Sequence, residues 1–104
     1  MEKIVKQGLL YDFYGELLTE RQKQIYEDAV FSDMSLSELS DEYGISRQGV
    51  HDLLKRCDKT LAEYEAKLGL IARFQKIREK IEMIQRLTVQ EEIRMLAEEI
   101  IEEL

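Results

Sequence analysis

The 104 residues contain no proline, only five glycines, one cysteine and one histidine. Without proline, and with glycine sparse, little breaks a helix; Glu, Lys, Leu and Ile are prominent and aromatics make up only 8%. That is the composition of long helices rather than of a sheet. A lone Cys57 cannot close an internal disulfide and suits a reducing compartment. His51 and Cys57 stand six positions apart, so they do not share a helix face, and no metal-ligand spacing of the two residue types exists. No apolar run approaches the length of a membrane span, and no glycine-rich phosphate loop is present. The opening MEKIVKQGLLYDFYGELL carries acidic residues in a helical apolar pattern, unlike a signal peptide. These absences lead us to expect a cytoplasmic protein with no enzyme activity, no cofactor, no metal and no membrane span.

Charge is plentiful but unevenly placed. The formal net charge is −7, and charged residues make up 36% of the chain. Such a balance opposes non-specific binding to nucleic acid. Residues 1–44 carry a net −6, residues 45–87 a net +4 and residues 88–104 a net −5. The middle of the chain is therefore the part suited to an anionic partner. Glu91, Glu92, Glu98, Glu99, Glu102 and Glu103 fall in adjacent pairs off the apolar positions, as on a solvated helix face.

Helix-start signals divide the chain. Thr19-Glu20-Arg21-Gln22, Ser35-Leu36-Ser37-Glu38 and Thr88-Val89-Gln90-Glu91 have the capping-box form, in which a hydroxyl and a Glu or Gln three residues on satisfy each other's backbone amides. Ser46 is a further N-cap candidate. Apolar spacing predicts helices over about 2–15, 20–32 and 36–43, with Ile4, Val5, Leu9, Leu10, Phe13 and Tyr14 forming a broad stripe on the first. Ile25, Tyr26, Ala29 and Val30 face inward on the second, and Leu36, Leu39 and Tyr43 on the third. A long fourth helix begins after Ser46, with a heptad seam of Val50, Leu54, Cys57, Leu61, Tyr64 and Leu68. Gly69 interrupts it. A fifth helix over 70–87 carries Leu70, Phe74, Ile77, Ile81 and Ile84, and a sixth over 89–103 carries Val89, Ile93, Leu96 and Ile100.

The segment LSELSDEYGISRQGVHDLLK, Leu36 to Lys55, meets the requirements of a helix-turn-helix. Ser40 supplies a small residue where the helices cross. Gly44 supplies a turn position tolerant of positive φ. Ile45 plugs the corner, Ser46 caps, and Val50 with Leu53 or Leu54 faces inward. The recognition helix then starts at Arg47. Its outward positions are Arg47, Gln48, His51 and Asp52, with Lys55 one turn on. Arg and Gln read base edges through paired hydrogen bonds, and Arg56 and Lys59 reach phosphates. Asp52 repels phosphate unless it accepts from a cytosine amino group. Gly49 inside the helix costs roughly 1 kcal/mol relative to Ala, which a close backbone approach or tight packing on the preceding helix would explain. The candidate binding set is Ser46, Arg47, Gln48, His51, Lys55, Arg56 and Lys59.

The stretch LLTERQKQIYEDAVFSDMSLSELSDEYGISRQGVHDLLKRC resembles the region-four helix-turn-helix of bacterial sigma factors, with Leu18, Thr19, Arg21 and Gln22 matching its opening pattern. Over residues 1–87 the chain resembles the YlxM family of helix-turn-helix proteins. Tyr11, Phe13, Tyr14 and the following LLT carry that resemblance, with SDMSLSELSDEYGISRQGVHDLLKR and Leu61, Tyr64, Glu65 and Lys67–Leu70. The resemblance implies an all-α fold, a sigma-region-four-like helix-turn-helix bundle with extended C-terminal helices, often dimeric. It also implies a link to the signal recognition particle pathway.

The expectation is a single domain: a helix-turn-helix part over 1–69, with its helix-turn-helix at 36–55, and a C-terminal helical dimerisation or packing extension over 70–104 of the same domain. The expected function is a regulatory or accessory protein that binds nucleic acid, either DNA or a small structured RNA, or a signal recognition particle component. The alternatives are a sequence-specific DNA-binding transcriptional regulator and a protein-interaction homodimer without a nucleic-acid ligand.

Overall fold

The computed structural model describes residues 2–104. Among them are six α-helices and no strand: α1 (Lys3–Tyr14), α2 (Glu20–Val30), α3 (Leu36–Tyr43), α4 (Arg47–Leu68), α5 (Leu70–Leu87) and α6 (Glu91–Glu103), with one 3₁₀ turn at Gly15–Leu17 after α1. The all-α expectation holds. None of these helices is long and apolar enough to cross a membrane. The chain divides into two compact units, one ending at Leu68 and one spanning Gly69–Leu104.

In the first unit α4 is the spine, and α1, α2 and α3 all pack against it. Ile25, Leu39 and Val50, one from each of α2, α3 and α4, form a fully buried cluster. Met34, Leu36, Tyr43, Ile45, Leu53 and Leu54 pack around it. This is the core of the helix-turn-helix, and burying such aliphatic side chains stabilises the fold by about 1.5–3 kcal/mol each. Farther along α4, Cys57 and Leu61 are buried, as are Leu10 and Tyr14 of α1. The predicted seam on α4 thus faces inward, except that Leu68 at its end is exposed. The stripe on α1 is narrower than its composition predicts. Ile4 and Val5 are exposed, because only the second half of α1 carries side chains deep into the unit.

Four tyrosine hydroxyls fasten this unit. Tyr26 donates to Asp58 Oδ1 at 2.6 Å and Tyr14 to Glu65 Oε1 at 2.6 Å. Tyr11 donates to Glu27 and Tyr43 to Asp28. Gln7 Nε2 reaches both oxygens of Asp58, at 3.0 and 3.1 Å. Asp58 therefore joins α1, α2 and α4 through one carboxylate. The Tyr11 ring stacks on Tyr26 and meets Phe31 edge-on, and the Tyr14 ring stacks on Tyr64. The aromatic set of the N-terminal segment is packing material.

Local signals set the helix ends. Thr19 with Gln22, and Ser35 with Glu38, form complete capping boxes. α2 stops at Val30, short of the expected 32. Ser32 N bonds back to Glu27 O and Met34 N to Asp28 O, and Asp33 takes a φ of +52°. That chain reversal satisfies the last carbonyls of α2. Thr88 corrects the third capping-box expectation. Its backbone is extended at the end of α5, and its hydroxyl accepts from the amide of Gln90, while α6 starts at Glu91 with no side-chain cap.

In the second unit α5 and α6 pack on each other. Gln85 Nε2 donates to Glu98 at 2.9 Å, and Arg94 Nε donates to the Thr88 carbonyl at 3.3 Å. The seam expected on the sixth helix is not the buried face. Ala97 is buried, whereas Ile93, Leu96 and Ile100 are exposed and Val89, 93% exposed, lies in the connection before α6. A small residue lets two helices approach closely, and the larger apolar side chains are left on the outside.

Candidate nucleic-acid interface

The interface is built from the turn outward. Gly44 ends α3 at φ +66°, ψ 32°, its amide bonding the Ser40 carbonyl at 3.0 Å. A left-handed position of this kind costs a side chain-bearing residue roughly 1–2 kcal/mol. Ser40 does more than leave room for the crossing, since its hydroxyl donates to the Ile45 carbonyl across the turn. Arg21 Nη2 donates to the Tyr43 carbonyl at 3.4 Å. Ser46 then caps α4, its Oγ accepting from the amide of Gly49 at 3.0 Å. A Cβ at Gly49 would stand 3.1 Å from Ser46 Oγ, and no atom of α3 lies within 4 Å of it.

α4 starts at Arg47, as the helix-turn-helix reading requires. Val50, Leu54, Cys57 and Leu61 point into the unit, and the opposite side carries Arg47, Gln48, His51, Asp52, Lys55, Arg56 and Lys59, all exposed. From Arg47 to Lys59 this face runs about 18 Å at 1.5 Å per residue. Asp52, Lys55, Arg56 and Lys59 line one open groove, and Leu36, Arg47, Gln48 and His51 line another beside it. The structure thus brings six of the seven candidate residues onto this face of α4, with Ser46 capping the helix before it.

Among the described residues, the side chains of Arg47, Lys55, Arg56 and Lys59 have no hydrogen-bond or ion-pair partner within 4 Å. Of the other carboxylates of α4, Asp58 is engaged by Tyr26 and Gln7 and Glu65 by Tyr14, while Glu63 is exposed one turn beyond Lys59. Asp52 is the one acid on the face. Gln48 Nε2 donates to its Oδ1 at 2.9 Å, and His51 Nδ1 lies 3.4 Å from the same oxygen. These two contacts, Gln48 first, hold the Asp52 carboxyl below its ordinary range.

Sequence reasoning missed Lys3. It lines a cleft with Gln7, His51, Leu54, Lys55 and Asp58, adding a cation from α1 beside the recognition helix. No local signal could have placed it there, because the juxtaposition comes from packing α1 on α4. Cys57 is fully buried, and burial pushes its thiol up to about 11. It lies away from exposed His51, so the two form no nucleophile pair.

Two helices joined by a left-handed glycine, a capped second helix and a cationic outer face define a helix-turn-helix protein. The chain belongs to the UPF0122 family, whose model, described as "Putative helix-turn-helix protein, YlxM / p13 like", matches residues 1–103. A UPF0122 protein of Caldanaerobacter subterraneus subsp. tengcongensis is 53% identical over 76 residues, covering 73% of this chain and 65% of that relative. One from Thermoanaerobacter sp. (strain X514) is 50% identical over 78 residues, 75% of this chain and 67% of the relative. One from Symbiobacterium thermophilum is 45% identical over 76 residues, 73% and 71% of the two chains. The matched segment thus spans about two thirds of the first of these relatives.

Proposed function

We propose that this protein is a non-enzymatic regulatory or accessory protein of the cytoplasm that binds nucleic acid through the outer face of α4. Ser46, Arg47, Gln48, His51, Lys55, Arg56 and Lys59 make the contact, and Lys3 extends it. One observation carries the reading: among the described residues, four cations stand without a side-chain partner on one helix face in a chain of net charge −7, while Asp58 and Glu65 of the same helix accept from tyrosines. Arg47 and Gln48 sit at the start of the recognition helix, where side chains reach base edges. Lys55, Arg56 and Lys59 follow along the helix toward the phosphates. The resemblance to the YlxM family supports a component of the signal recognition particle pathway as the ligand. The helix-turn-helix form supports duplex DNA. A small structured RNA and duplex DNA present the same phosphate charge.

With Arg47 also counted as neutralising a phosphate, beside Lys55, Arg56 and Lys59, four contacts on duplex DNA correspond to a slope of roughly −3.6 in log K against log salt. Arg47→Ala and Lys55→Ala should each weaken binding to a labelled duplex or RNA hairpin and flatten that slope by about one. Unchanged binding in both variants refutes the reading. Recovery of bound protein and nucleic acid from a native lysate at low salt separates the two ligands. A second reading, self-association through the second unit, is supported by the exposed Ile77, Met83, Ile84, Ile93, Leu96 and Ile100 on α5 and α6.

A further inference from the structure

Between Arg47 and Lys59 of α4 one exposed carboxylate, Asp52, stands among the cations, and the fold does not turn it inward as it does Asp58 and Glu65. Its side chain is 56% exposed and lines the same groove as Lys55, Arg56 and Lys59. Oδ1 is occupied by Gln48 at 2.9 Å and approached by His51 at 3.4 Å. Oδ2 has no partner. The side chain is thus aimed by one oxygen and open at the other, and its depressed titration keeps it ionised.

An ionised carboxylate only accepts hydrogen bonds. Phosphate oxygens, guanine N7 and O6, and thymine O4 also only accept, so each is repelled at Oδ2. Adenine offers an amino group, but with the N7 acceptor beside it. Cytosine N4 presents a donor whose neighbour on its own ring is the C5–H rather than an acceptor, with guanine O6 only on the paired side. We propose that Asp52 is a specificity-determining residue of this face, taking a cytosine amino group on Oδ2 and rejecting registers that bring phosphate or a base acceptor there. Gln48 is then a positioning residue for Asp52. This inference rests on the nucleic-acid reading of α4. The amino group could come from duplex DNA or from an unpaired cytosine of an RNA loop, and the test separates the two sources.

The test uses the full chain and its Asp52→Asn variant. Asparagine keeps the shape and an oxygen for Gln48, and circular dichroism checks that helix content is unchanged. Fluorescence anisotropy at low salt measures binding to four probes of matched length. Two are an alternating A·T duplex and a duplex containing G·C pairs. The others are RNA hairpins with and without cytosine in the loop. The unmodified chain should prefer the cytosine-bearing member of one pair by about tenfold, the duplex pair for DNA or the hairpin pair for RNA. Asp52→Asn should lose that preference and bind the cytosine-free member about fivefold more tightly, because a like charge near phosphate has gone. If the variant keeps the original ratio in both pairs while Arg47→Ala and Lys55→Ala still weaken binding, Asp52 does not select and the binding face stands. If the unmodified chain binds none of the four, the face and its selectivity fall together.

Discussion

Gly44 holds its left-handed conformation in open space, with nothing within 4 Å of where a Cβ would stand. A substitution there meets no clash, so its cost is purely conformational. Gly44→Ala should therefore lower stability by about 1–2 kcal/mol, read from urea denaturation. A loss below a few tenths would mean the turn relaxes into another conformation. Gly15 is the opposite case. Its φ is ordinary, but an added Cβ would lie 2.8 Å from the Tyr11 ring, so sterics govern that position. The turn glycine is legible in sequence because a short helix, a glycine and a capping serine follow one another. The glycine beside Tyr11 is not, because the ring's position depends on its stacking with Tyr26.

At the scale of elements, α4 supplies both the outer face and the inner fastening, and Asp58 shows how the two are kept apart. Removing its carboxylate leaves the Tyr26 hydroxyl and the Gln7 amide without their acceptor. Asp58→Ala should cost about 2 kcal/mol of stability by urea denaturation, and an unchanged midpoint would show that water replaces the bond. These fastenings also set an alkaline limit. Cys57 is raised from 9.0 to about 11 by burial, and Tyr43 from 10.0 to about 12, chiefly by its hydrogen bond to Asp28. Tyr26 is raised further, by burial first and then by Asp58. In each case the folded state favours the neutral form. The stabilisation is complete below the ordinary value and is lost as pH rises through the raised one. Stability should thus fall from about pH 9 upward, the thiol acting first and Tyr43 across about 10 to 12. Tyr43→Phe should show a shallower fall in that second window when urea midpoints are followed against pH.

At the scale of the whole molecule, the exposed apolar side chains of α5 and α6 and the modest charge of the α4 face belong to one question. A chain with four phosphate contacts binds weakly alone, and a dimer would double the salt slope to roughly −7. Sedimentation should give the mass of two chains, and Leu96→Glu, which places a charge on the exposed face of α6, should return one. A single-chain mass for the unmodified protein would remove both the dimer and the doubled slope.

The sequence by itself determined what depends on neighbours along the chain. The helix-turn-helix, the caps at Thr19, Ser35 and Ser46, the left-handed Gly44 and the outward row from Arg47 to Lys59 all follow from spacings within a few residues. Spacing also misled where two outcomes share one pattern. Thr88 reads as a helix cap, yet the extended connection gives its hydroxyl to Gln90, and the tail's apolar repeat reads as a buried seam although Ala97 is the residue α5 and α6 enclose. Tertiary structure alone decided which charges remain free. Tyr26, Gln7 and Tyr14, distant in sequence, engage Asp58 and Glu65, whereas Arg47, Lys55, Arg56 and Lys59 stand exposed on the outer face of α4. Helical periodicity fixes the side of a helix a residue occupies, but whether its charge is already satisfied depends on the helices packed against it.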